Sequence, residues 1–198
     1  MKIIQSIVAT CVFVLLLVLI YYLHVRYFKV NVVFYAAIAD GIAAAALAGV
    51  AVFLVRYFKN LTQFEKLLLI IIWLLGGYTF AISVPTVIDR SLSFYILEKL
   101  KQRGGGIKES AFEQIFAKEY VKEHHLVDVR LTEQLQSGTI SIENGCVKLT
   151  PKGEELVKFS RYFRMNWLPK ERLLMGSYTD ALTDPFRASA QNVDYTCK

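Results

Sequence analysis

Three long apolar runs, Ile3–Leu23, Val32–Val55 and Leu67–Val84, fill most of the first 88 residues, and no comparable run follows. A bilayer's hydrocarbon core is about 30 Å thick and an α-helix rises about 1.5 Å per residue, so each run can cross one. The expected fold is therefore a membrane α-helical part of three transmembrane helices, followed by a small α+β soluble domain. The transmembrane domain covers 1–88, with helices at about 3–23, 32–55 and 67–84. The soluble domain covers 89–176, and 177–198 reads as an extended tail.

Charge follows the same division. Six of the 23 Lys/Arg and two of the 17 acidic residues precede Asp89, leaving 17 basic against 15 acidic beyond it. The soluble part is thus near neutral, and most of the overall +6 sits at membrane edges. That balance excludes a strongly basic nucleic-acid-binding domain.

Lys2 and the apolar run after it resemble a secretory signal, but no small-residue cleavage site closes the run, so an uncleaved signal anchor is expected. Cys11, Cys146 and Cys197 form no metal-ligand spacing, and a reducing compartment fits free thiols. With the C-terminus inside, Arg26, Lys29, Arg90, Lys99, Lys101 and Arg103 are cytoplasmic, against Lys2, Arg56, Lys59 and Lys66 outside. The expected location is the bacterial inner membrane, multi-pass, with a cytoplasmic C-terminal domain.

The pentapeptide Val-Arg-Tyr-Phe-Lys occurs at 25–29 and again at 55–59. Aromatic and cationic residues both favour the lipid–water boundary, which explains the recurrence without a duplication. In the second run Ala37, Gly41, Ala45 and Gly49 make a stripe of small residues at i+4 spacing, with Asp40 beside it. Such stripes let helix backbones approach closely, within one chain or across two. A carboxylate at that depth costs about 2.5–3.5 kcal/mol on insertion scales, so Asp40 must face protein or water. No Lys, Arg or His lies deep in the other two runs. Asp40 and the stripe are therefore the expected contact with a partner's helices. Pro85 predicts a kink or stop near residue 84.

Beyond Asp89, Ser91 is placed to cap a helix over 91–103 that ends at Gly104-Gly105-Gly106. This triplet lacks the Lys-Ser/Thr of a phosphate loop and reads as a helix terminator. Further helices are expected at 109–123 and 127–136. Two alternating runs, Thr139–Ile142 and Cys146–Thr150, flank an Asn144-Gly145 turn and predict a β-hairpin. A fourth helix starts near Glu154. This order, with Leu149-Thr150-Pro151-Lys152-Gly153-Glu154-Glu155-Leu156 at the hairpin exit, resembles a winged helix-turn-helix domain over about 91–163. The resemblance implies a recognition role for the third helix, where Arg130, Thr132 and Gln134 would contact DNA. Asp128, Glu133 and the Glu143-Asn144 tip would repel phosphate, so nucleic acid is the less favoured partner and protein interaction the favoured use.

From Lys158 to Arg172 aromatics alternate with cations. Lys158, Arg161, Arg164, Trp167, Lys170 and Arg172 are the candidate contacts to an anionic lipid surface, and Trp167 beside Pro169 argues against a continuous helix there. His124-His125 is a poor metal pair, because neighbouring helical positions diverge by about 100° at 3.6 residues per turn. No nucleophile–base arrangement, metal ligand set or cofactor motif is legible. The expected function is a non-enzymatic accessory or scaffold subunit of an inner-membrane complex, one handling envelope lipids or glycans. A membrane-tethered transcription regulator is the alternative, and a small enzyme acting on lipid-linked substrate through Asp40 or Asp89 the third.

Overall fold

The computed structural model describes residues 1–189 and Cys197, except the side chain of Ala188. The chain is mostly helical and divides into two compact units, Met1–Tyr120 and Val121–Lys198.

The first unit opens with three helices long and apolar enough to cross a membrane: α1 (Lys2–Tyr27), α2 (Val33–Leu54) and α3 (Gln63–Ala81). The start of α3 is set by a capping box. Thr62 Oγ1 accepts from the Glu65 backbone N–H at 3.2 Å, and the Glu65 carboxylate accepts from the Thr62 N–H at 2.6 Å. Lys2 pairs with the same carboxylate at 2.9 Å, which brings the starts of α1 and α3 to one end of the bundle.

Small side chains on α2 let the three helices close together. Ala37, Ala44, Ala45 and Ala48 are buried, and Ala44, Ala45 and Ala48 join Phe13, Leu17 and Trp73 in the core. The Phe13 and Trp73 rings stack at 5.6 Å, and Trp73 Nε1 donates to Thr10 Oγ1 at 3.2 Å. The closest approach is backbone on backbone. A Cβ on Gly41 would lie 3.1 Å from the Gly77 Cα, and one on Gly77 3.0 Å from the Gly41 Cα. Most other Leu and Ile side chains of α1 and α3 are exposed, leaving an apolar exterior.

Pro85 does not stop the third helix. The chain widens into a π-turn over Ile82–Thr86 and resumes α-helix at Val87–Arg90. Proline cannot donate to the carbonyl one turn back, which here belongs to Ala81. Thr86 Oγ1 donates to that carbonyl instead, at 2.7 Å, so the backbone stays satisfied. The two copies of Val-Arg-Tyr-Phe-Lys behave differently. The second forms a short 3₁₀ turn that buries Phe58, while Tyr27 and Phe28 of the first are exposed.

Ser91 caps the next helix, α4 (Leu92–Gln102), by accepting from the Phe94 N–H at 3.3 Å. Gly104 and Gly105 end it at φ +82° and +97°, with the Gly105 N–H on the Leu100 carbonyl at 2.7 Å. The segment expected as one helix over 109–123 is helical throughout but not regular. It runs as 3₁₀ (Glu109–Ala111), α (Phe112–Gln114) and π (Ile115–Tyr120), and the second unit begins with the turn Val121–Glu123. Ile115 and Tyr120, five residues apart, are both buried, and a π-turn is the winding that puts such positions on one face. Tyr95 packs on Tyr120 with ring centroids 4.7 Å apart.

In the second unit α5 (Leu126–Ser137) is closed by Gly138 at φ +70°. Strands β1 (Ile140–Glu143) and β2 (Cys146–Leu149) pair antiparallel, Ile140 opposite Leu149 and Glu143 opposite Cys146. Asn144 and Gly145 take the two positive φ values that such a tight hairpin requires. Helix α6 (Pro151–Trp167) follows, its Thr150 cap accepting from the Gly153 N–H at 3.1 Å, and it ends before Pro169. A second hairpin, β3 (Arg172–Leu174) with β4 (Ser177–Thr179), turns through Met175 and Gly176 at positive φ. The start of the segment read as an extended tail is therefore a strand, and Pro185–Ala188 is a 3₁₀ turn. Cys146 is bridged to Cys197, with Cα atoms 6.0 Å apart, which corrects the expectation of free thiols at both. The rest of 177–198, namely 190–196 and 198, lies outside the described residues.

Gly41→Val is expected to push α2 off α3 and cost about 1–3 kcal/mol, the usual range for overpacking. Chemical denaturation in detergent should show it. Gly76→Ala, whose added Cβ would sit 3.7 Å from Phe13, should be tolerated.

Candidate functional site

Two places hold chemistry that a folded helix pair or hairpin does not by itself require. The first is inside the helical bundle. Asp40 is 4% exposed, and its Oδ1 lies 2.7 Å from His24 Nδ1. The partner thus comes from within the chain, not from another subunit as expected. His24 was missed because it falls just past the first apolar run. Helix α1 continues to Tyr27, and that extra turn carries the imidazole alongside α2. Asp40 Oδ2 is buried with no hydrogen-bond partner among the described residues. A carboxylate kept from water needs such a partner, so His24 is what makes Asp40 tenable there.

The stripe beside Asp40 is likewise used internally. Ala37 and Ala45 are fully buried, Gly41 meets Gly77, and a Cβ on Gly49 would lie 3.1 Å from Ile70 Cδ1. These side chains are packed against the chain's own helices. A small-residue period alone does not say which helix fills it.

A buried cation also went unforeseen. Lys99 is 4% exposed, its Nζ lies 2.9 Å from the Glu119 carboxylate, and it sits over the Tyr95 ring at 5.4 Å. Arg103 reaches the same carboxylate at 3.2 Å. The hydrogen bond from Lys99, helped by Arg103, holds the Glu119 carboxyl below its ordinary value of 4.5. Lys99 lies one turn from Tyr95 on the inner face of α4, a position where sequence favours an apolar residue.

The second place is helix α6. Among the described residues of Val121–Ser189 only Thr139 and Gly153 are buried, and no apolar side chain is. Phe159, Phe163 and Trp167 line one face of α6 as a ladder of rings, at 6.0 and 6.3 Å, yet Trp167 is 68% exposed. Arg164 is half-buried on the flank of that ladder, and Lys158 and Arg161 are exposed further round the helix. Lys170 is exposed after the helix, and Arg172 stands half-buried at the start of β3. Four of the six cationic and aromatic residues singled out from sequence therefore lie on one helix, while Lys170 and Arg172 do not.

The joint between hairpin and α6 is polar and tight. Thr139 Oγ1 donates to Gln134 Oε1 and to the Gln134 carbonyl, and the Thr150 N–H donates to the Thr139 carbonyl at 3.1 Å. A Cβ on Gly153 would overlap that carbonyl, so only glycine lets α6 start there. Lys152 Nζ donates to the Ser137 carbonyl at 2.6 Å. The Leu149–Leu156 string thus has a structural task in each of its Thr, Lys and Gly residues. Thr139 occupies Gln134, while Arg130 is engaged by Glu133 at 2.8 Å; Thr132 alone of the three candidate DNA contacts is exposed without a side-chain hydrogen bond or ion pair among the described residues.

No group of three or more His, Cys, Asp or Glu residues suited to a metal ion occurs among the described residues. His125 takes a left-handed φ of +43° and lies 3.5 Å from Asp128 in an exposed pair. Asp89 lies 3.9 Å from Arg90. No family model, curated protein or solved structure matches the chain.

Removing His24 while keeping Asp40 should cost roughly 1–3 kcal/mol, the price of an unsatisfied buried acceptor. Adding Asp40→Leu to His24→Leu should restore most of it, read by denaturation of both variants. Because the Glu119 pKa is depressed on folding, its contribution is complete above about pH 4.5 and is lost as pH falls through the folded value. Wild-type thermal stability should therefore drop more steeply below pH 4.5 than that of Glu119→Gln.

Proposed function

We propose that this chain is a non-enzymatic, membrane-anchored accessory subunit whose C-terminal unit docks on an anionic surface through helix α6. The observation that carries this reading is that a unit with no buried apolar side chain among its described residues displays an aromatic ladder flanked by cations. A small unit seldom stays folded without an apolar core, and an amphipathic helix of this composition gains one by laying its ring face into the headgroup boundary. Insertion of α1–α3 into a bilayer is supported by their length and apolar exterior. The bacterial inner membrane, and a complex handling envelope lipids or glycans, are the setting this reading assumes. The winged-helix likeness enters as an interaction module, since Arg130 and Gln134 are already engaged within the unit.

We keep the C-terminal unit on the cytoplasmic side, where the Lys/Arg count puts it. The Cys146–Cys197 bridge pulls the other way, because stable bridges belong to oxidising compartments. On the cytoplasmic side it is a reversible bond. Maleimide should then label both thiols only after permeabilisation; a bridge intact in untreated cells would move the unit to the opposite face.

Docking is tested on the intact protein reconstituted in bilayers, by amide hydrogen exchange across residues 151–167. Slower exchange in phosphatidylglycerol than in phosphatidylcholine, lost in Phe163→Asp with Trp167→Asp, is the expected outcome. Equal exchange in both lipids would sink the anionic-surface reading.

A further inference from the structure

Helix α6 also forms one wall of a groove of about 490 Å³ within the second unit, and the aromatic ladder is not part of its lining. The volume is in the range of small-ligand sites. The opposite wall is Thr183–Phe186, and it is tied in place rather than draped. Thr183 Oγ1 donates to the Lys170 carbonyl at 2.7 Å, and Arg187 clamps Asp180 through two hydrogen bonds at 2.6 and 2.9 Å. The floor is the Thr139–Gly153 joint.

The lining separates by chemistry. Leu149, Leu156, Val157, Met165 and Phe186 give an apolar trough, and each is at least 44% exposed, so no described residue fills it. Ser160, Arg161 and Arg164 supply hydroxyl and guanidinium donors along one edge. The two arginines stand three residues apart on one helix, a spacing that brings side chains together, and neither has an ion pair among the described residues. Asp184 is the one carboxylate in the lining, leaving two cations against one anion.

We propose that this groove binds a phosphate-bearing amphiphile with a single acyl chain, the chain in the trough and the phosphate on Arg161 and Arg164. Guanidinium pairs grip phosphate through charge-assisted, fork-like hydrogen bonds, and an exposed apolar trough beside them selects an alkyl chain over water. Asp184 lowers the net charge of the edge and disfavours heads more anionic than one phosphate monoester. The groove shares Arg161 and Arg164 with the docking helix but not its ladder, because Phe159, Phe163 and Trp167 take no part in the lining, so ring substitutions separate the two readings.

The test uses the intact protein in phosphatidylcholine nanodiscs and oleoyl lysophosphatidic acid carrying a diazirine in its chain. Irradiation should label peptides covering 149–165 and 183–187, and excess unlabelled lysophosphatidic acid should suppress that labelling. Oleyl alcohol or inorganic phosphate at the same concentration should leave it within about twofold, since neither makes both sets of contacts. Arg161→Ala with Arg164→Ala should lower labelling about tenfold or more, as expected for loss of charged hydrogen bonds. Val157→Trp fills the trough from an exposed position and should abolish it. Phe163→Asp with Trp167→Asp, which removes surface docking, should leave it unchanged, so the two readings fail separately. Label confined to α1–α3, or retained through both groove variants, overturns the proposal. Competition by oleyl alcohol as strong as by lysophosphatidic acid removes the phosphate; competition by inorganic phosphate alone removes the acyl chain. Either overturns it too.

Discussion

The close approach of α2 to α3 at Gly41 and Gly77 is the constraint on which the first unit depends. Two backbones that meet with no room for a Cβ fix the helix spacing. That spacing lets alanines fill the remaining gap and sets Trp73 against Phe13. It also holds α2 in the register at which Asp40 faces His24. In lipid such packing must come from van der Waals contact and hydrogen bonds, since apolar surface gains nothing by leaving an apolar solvent. Small residues on α2 and bulky ones on α1 and α3 are the division of labour this implies.

The second unit rests on a different principle. Its described residues bury a threonine and a glycine and no apolar side chain, so hydrogen bonds around Thr139, two hairpins and the Cys146–Cys197 bridge define its shape. Hydrogen bonds specify geometry well but each adds only about 1 kcal/mol net. A bridge that closes a long loop offsets part of what the missing core would supply. The apolar surface left uncovered on α6 comprises a ring ladder and an arginine-edged trough.

Much of the local structure was legible in the residues. Ser91 and the Gly104-Gly105 pair cap a helix where their chemistry requires, and Asn144-Gly145 turns the first hairpin, whereas the Thr150 cap that starts α6 at Pro151, ahead of the expected Glu154, was not read. The second hairpin was not legible, because Met175 is an unusual residue at positive φ and its strands are three residues long. Pro85 reads as a kink or stop because its missing donor is local knowledge, whereas the hydroxyl of Thr86 that compensates is visible only once the π-turn is formed.

By itself the sequence determined three apolar helices, the Ser91 cap, the Gly104-Gly105 stop and the first hairpin turn beyond them, and the cationic and aromatic make-up of α6. Those properties depend on neighbours within four or five positions along the chain. Only the tertiary structure decided that the small-residue stripe serves its own bundle, that Asp40 meets His24, and that buried Lys99 meets Glu119. Likewise, only folding set Thr183–Phe186 against α6 to make a groove. Each of these joins residues from separate elements, and which helix faces meet is settled by packing the whole unit, not by any local pattern.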